Sequence, residues 1–190
     1  MKEPKKWLRE IIDPVTAGFT RRAFLREPVV YRAPDGNPRA VATDGRVIVV
    51  LEGDVDGQEC VAVEAADNEQ LAAVLEGGQA VERGTTTVEA LAAWCGPYEA
   101  PERGVCPGCP CGNCAGGADY YKLPASRTGR LGGLAIDRNR LAQPLRYLRG
   151  ACRVLAGPDR LELRGDGWRL ILMALEVTPG DEGPVFPEVP

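Results

Sequence analysis

The sequence predicts an α+β protein: one domain of two half-units, each a helix followed by three antiparallel strands, with a cysteine-rich loop inserted between them. Three observations predict it. Two Asp-Gly turns, Asp44-Gly45 and Asp166-Gly167, fall in register when "RAVATDGRVIVVLEG" is set beside "LELRGDGWRLILMALE". Each block is preceded by a helical stretch and another short strand, which is the mark of an internal repeat. Between them, from Gly96 to Arg130, the composition turns to Gly, Pro, Cys and small polar residues. One half-unit alone is too thin to bury its apolar side, so the two are expected to share a core.

Taken in order, the first twelve residues read as a helix with Trp7, Leu8, Ile11 and Ile12 on one side, stopped by Asp13-Pro14. "PVVYRA", "RAVAT" and "RVIVVLEGD" follow as strands separated by "PDGN" and "DG" turns. Helices are expected over Asn68 to Leu75 and over Val88 to Trp94, the second opened by a Thr cap. After the insertion come "RLGGLAI" as a strand and "DRNRLAQPLRYLR" as a helix capped by Asp137. Inside that helix Pro144 should force a kink or mark the real start. "CRVLAG", "DRLELRG" and "WRLILMALEV" complete the strands. The boundaries are then 1–95 for the first half-unit with its connecting helices, 96–130 for the insertion, 131–178 for the second half-unit and 179–190 for a flexible tail.

The net charge of −4 is unevenly spread. Lys2 to Ile12 holds four basic against two acidic residues and Asp137 to Arg149 four against one, so the remainder of the chain carries −9. Positive charge gathered on two helices of an otherwise acidic protein suits contact with a phosphate backbone without reading its sequence. Lys5, Lys6, Arg9, Arg138, Arg146 and Arg149 are the candidates; the plainer reading makes them solvated helix faces.

Four of the seven cysteines, Cys106, Cys109, Cys111 and Cys114, form two C-x2-C pairs with only Pro110 between the pairs. Four thiolates in this arrangement suit structural zinc, with the surrounding glycines allowing a tight wrap, and Cys95 is a possible substitute ligand. An iron-sulfur cluster and a redox dithiol at Cys106 and Cys109 are the other readings of the same thiols. Cys60 and Cys152, in apparent strands, read as buried hydrophobes.

Nothing in the sequence points to catalysis. There is no histidine and one serine, Ser126, without an evident base partner. Asp35, Asp44, Asp159 and Asp166 stand beside Gly or Pro as turn residues do, and a fully thiolate-bound zinc has no open position for activated water. No run is apolar enough to span a bilayer and the N-terminus is charged, so a cytoplasmic, non-enzymatic protein without membrane contact is expected.

"AVATDGRVIVV" resembles the "ATDGHRL" turn-and-strand signature of bacterial DNA sliding clamps, the DNA polymerase III beta subunits, with Arg46 and Val47 where that motif has His-Arg. "AIDRNRLAQPLRYL" through "VLAGPDRLELRGDGWRLILMAL" is similar to a clamp half-unit, and the likeness spans about 110 residues. With its Cys-rich insertion, the chain also resembles small phage and prophage proteins; the cysteine segment itself is similar to zinc-binding repeats of J-domain chaperones. The clamp resemblance implies basic helices facing double-stranded DNA and sheets facing outward. It also implies a polymerase or other host replication protein as partner, and a homo-oligomer, since a ring needs six such domains. A zinc-stabilised protein-interaction module without DNA contact is the alternative, and a thiol redox protein a further one.

Overall fold

A computed structural model describes residues 7–11, 23–25, 27–52, 60–76, 79–105, 119–122, 124–177, 180, 183–187 and 189. The protein is a mixed α+β structure with one large sheet and few helices. In chain order the elements are α1 (Leu8–Ile11), β1 (Val29–Arg32), β2 (Pro38–Thr43), β3 (Val47–Leu51), β4 (Val61–Ala62), α2 (Ala65–Glu76), β5 (Val81–Thr87) and α3 (Val88–Cys95). They continue with β6 (Glu102–Val105), β7 (Asp119–Lys122), β8 (Thr128–Leu131), β9 (Leu134–Asp137), α4 (Arg138–Leu145), β10 (Ala151–Ala156), β11 (Arg160–Gly165) and β12 (Trp168–Met173).

Eight strands form the main sheet in the order β4-β1-β2-β3-β12-β11-β10-β5. The two expected meanders are both present, and they meet where β3 pairs antiparallel with β12, Val47 opposite Leu172 and Leu51 opposite Trp168. Side chains of period two then divide the core. Val47, Val49 and Leu51 join Leu161, Leu163, Leu170 and Leu172 on the face covered by α1, α3 and α4. Val41, Ile48, Val50 and Ile171 point the other way, onto Leu71 and Leu75 of α2. On that second face the sheet also carries ions. Glu162, only 1% exposed, is held by Arg164 at 2.7 Å and Arg169 at 3.4 Å, and Arg169 reaches Glu76 of α2 at 3.5 Å.

Several expectations need correction. "RLGGLAI" is a hairpin rather than one strand: Leu131 pairs with Leu134, and Gly132 and Gly133 both have positive φ, as a two-residue turn of the primed type requires. "VERGTTT", not expected as a strand, is edge strand β5, whose largely exposed side chains hide the usual alternation. The helix over 138–149 ends at Leu145, so Arg146 is its C-cap and Arg149 lies beyond it. Pro144 does not start this helix. It occupies the next-to-last position, and the chain closes with Tyr147 N–H donating to the Pro144 carbonyl at 3.0 Å, a 3₁₀-type bond that Pro permits.

Two described residues of the segment expected as a flexible tail, Phe186 and Val189, are buried. Phe186 is 2% exposed and Val189 is fully buried in the core beneath α3 and α4. Phe186 donates its N–H to the Arg130 carbonyl at 2.8 Å, and Arg130 donates to Pro184 at 3.0 Å. Apolar residues late in a Pro- and acid-rich segment outweighed its composition.

Candidate nucleic-acid interface

Asp44 organises the local structure at the first Asp-Gly turn. Its Oδ1 accepts the backbone N–H groups of Arg46 at 2.8 Å and Val47 at 2.7 Å, the turn role expected of it. Its Oδ2 does something not legible from neighbouring residues: it pairs with Arg140 of α4, ninety-six positions along the chain. Asp137 caps α4 by accepting from Asn139 N–H at 2.9 Å, and its second oxygen lies 3.8 Å from Arg140. Arg140 is therefore consumed between two carboxylates, tying the β2–β3 turn to the start of α4.

Asn139 ties a second segment. Its Oδ1 accepts from Glu99 N–H at 2.8 Å and Arg127 at 3.0 Å, while its Nδ2 donates to the Glu99 carbonyl at 3.0 Å. Segment 97–101 is thereby fixed against α4, and a cleft of about 370 Å³ is left between it and the Asp44 turn. Arg46, Tyr98, Gln143, Arg146, Glu10 and Glu99 are among the residues lining it.

Of the six cations singled out in the sequence, Lys5 and Lys6 lie outside the described residues. Arg9 is exposed on α1. Arg138 does not project with the others: it is half-buried, with its guanidinium 5.4 Å from the centre of the Trp94 ring. Arg146 and Arg149 are exposed at the end of α4, and Arg149 donates to the carbonyls of Arg146 and Leu148. Arg46 is exposed across the cleft. Among the described residues no carboxylate stands within ion-pair distance of Arg46, Arg146 or Arg149.

The sequence reading missed the aromatic side chains beside these cations. Arg146 lies 5.7 Å from the Tyr98 ring centre and 5.2 Å from that of Tyr147, and Tyr147 stacks on Trp7 with centroids 4.8 Å apart and planes 10° from parallel. Tyr147 O–H donates to the Glu10 carboxylate and Gln143 donates to the Glu10 carbonyl, so α1 is seated against the end of α4. Burial first, and then this bond to Glu10, push the Tyr147 hydroxyl up to about 12.

Cys106, Cys109, Cys111 and Cys114 lie outside the described residues. What is described is their frame: β6 and β7 pair antiparallel up to Val105 opposite Asp119, so the thirteen residues between them start and finish side by side. Cys95, the possible substitute ligand, lies at the end of α3. It is fully buried in the core, where burial pushes its thiol up to about 12. Cys152 is buried as expected, its thiol pushed up to about 11, whereas Cys60 is only half-buried. Among the described residues no three Cys, Asp or Glu side chains converge where a metal could sit, and no helix is long and apolar enough to cross a membrane.

No family model matches the chain, and no curated protein matches it. Among solved structures it is similar to a DNA polymerase III subunit beta from Borrelia burgdorferi, determined in complex with a natural product. The identity is 8% and the TM-score 0.46, over 90% of this chain. This chain spans 62% of that one's length. A likeness of that size does not define a shared fold.

Proposed function

We propose that this is a non-enzymatic, clamp-like protein that associates with DNA through phosphate contacts, and through them with replication proteins, and that carries a structural zinc in its insertion. The observation that carries the reading is that Arg46 and Arg146 are exposed on the lining of one cleft, with Arg149 exposed beyond the end of α4, all three without carboxylate partners among the described residues. Arg46 belongs to the turn that resembles the clamp signature. The two-half-unit reading is supported by the sheet order, in which β1-β2-β3 and β12-β11-β10 run outward from the β3–β12 pair. It is supported also by α1 and α4, the helices preceding each meander's strands, which meet through Trp7, Glu10, Gln143 and Tyr147. A lone domain of this kind would encircle nothing, so assembly into a homo-oligomer is part of the proposal.

A salt titration of binding to nonspecific duplex DNA tests it. Log affinity should fall linearly with log salt, and Arg146→Glu with Arg149→Glu should lower the slope by about two, close to one unit for each phosphate no longer neutralised. Affinity unaffected by both salt and the charge reversals would sink the DNA reading and leave the zinc-stabilised protein-interaction module.

The zinc is supported by the two C-x2-C pairs and by the β6–β7 ribbon, which closes the loop's ends and confines four thiols to it. One zinc per chain is expected by elemental analysis of protein purified without chelator. Because metal binding would supply the loop's folding energy, removing zinc should expose residues 106–118 to protease while the main sheet stays intact. A metal-free preparation with the same cleavage pattern would overturn the zinc assignment.

A further inference from the structure

From Tyr98 and Arg146 on the cleft wall a row of flat groups runs on beyond the lining. Tyr98, Arg146, Tyr147 and Trp7 form a continuous ladder: ring, guanidinium, ring, ring, with successive separations of 5.7, 5.2 and 4.8 Å. Such spacings are those at which flat groups attract one another. The rungs come from three separate places in the chain, α1, the segment after α3 and the end of α4, so the row is a product of the fold and not of local sequence. Trp7 and Tyr98 rest partly against the core, but Arg146 is exposed and all three aromatic residues keep part of their surface open.

Phosphate contact alone has no use for such a row. A duplex keeps its bases stacked inside and offers a protein only phosphates and groove edges, whereas an unpaired strand presents flat faces that aromatic rings and guanidinium planes take up. We infer that the Tyr98–Arg146–Tyr147–Trp7 ladder is a stacking platform for the unpaired bases of single-stranded nucleic acid, with Arg46, Arg146 and Arg149 holding the strand's phosphates. The acidic lining fits this orientation. Glu10 and Glu99 repel a phosphate backbone from the interior of the cleft, so the phosphates stay on the arginines and the bases face Tyr98 and the row that continues from it. The inference rests on the proposed nucleic-acid role of these same cations, and names the strand form they serve.

The test compares the full-length chain's affinity, by fluorescence anisotropy at fixed low salt, for three probes: a short dT oligomer, an abasic strand of equal length and charge, and a duplex. The dT oligomer should bind roughly tenfold more tightly than the abasic strand, as expected for stacking of a base or two. Tyr98→Leu and Trp7→Leu should each erode that advantage, Tyr98→Phe should keep it, and none should shift duplex affinity more than about twofold. Urea unfolding of each variant separates loss of the platform from loss of the fold. Equal binding of dT and abasic strands, with the duplex still bound, would overturn the stacking platform and leave the phosphate reading standing. No binding to any of the three would remove both.

Discussion

Asp44→Ala is expected to lower the stability of the folded protein by about 3 kcal/mol, at the lower end of the range for breaking a buried ion pair from one side. The carboxylate is nearly inaccessible, with a side chain 3% exposed. Removing it deprives two backbone N–H groups of their acceptor and leaves Arg140 without its nearest counter-charge. Asp137, 3.8 Å from Arg140, and that residue's partial exposure moderate the loss. Urea denaturation of Asp44→Ala, Arg140→Met and the double variant measures it. If the pair acts as a unit, the double variant should lose clearly less than the sum of the singles. Strict additivity would mean that Asp44 acts only on its own turn. The pair also ties the turn that bears Arg46 to the helix that ends before Arg146.

The second large effect concerns the end of the chain. Phe186→Ala should cost about 3–5 kcal/mol, the usual loss for emptying an aromatic site in a core. Phe186 meets Trp94 edge-on, with ring centres 5.4 Å apart, and Trp94 in turn lies under Arg138. The approach is fixed upstream: a Cβ on Gly183 would overlap the carbonyl oxygen of Thr128, and φ at Gly183 is +68°. A loose tail would make the same substitution nearly silent, so urea unfolding decides between a docked end and a free one. A loss under about 0.5 kcal/mol, the size of an ordinary surface change, would contradict the docking.

What the sequence made legible follows from range. The meanders, the Thr87 and Asp137 caps and the Asp44 turn rest on interactions within a few residues, and those patterns were sufficient. The failures are contacts that no local pattern encodes. Strand β5 is held by β10 rather than by its own alternation, and Phe186 is held by Trp94 and Arg130. Two Gly residues in "RLGGLAI" did carry a readable hairpin signal that an apolar run obscured. At the candidate site, charge alone singled out Arg146 and Arg149, which stand at and beyond the end of α4 and not on a helical face. Charge could not tell Arg138 from these, because that residue's partner, Trp94, lies on another helix. The ladder was hidden for the same reason: Trp7 read as one member of an apolar stripe, and nothing near it in sequence announces Tyr147.

The central β3–β12 pairing has a bearing on how the molecule is made. All five residues of β3 are apolar and buried, yet one edge of that strand is covered only by β12, whose residues leave the ribosome more than a hundred positions later. Until then a meander formed by β1, β2 and β3 would present an open Val-Ile-Val-Val-Leu border, the kind of edge that recruits other strands. Safe synthesis of this protein therefore depends on shielding that border until its last strands arrive.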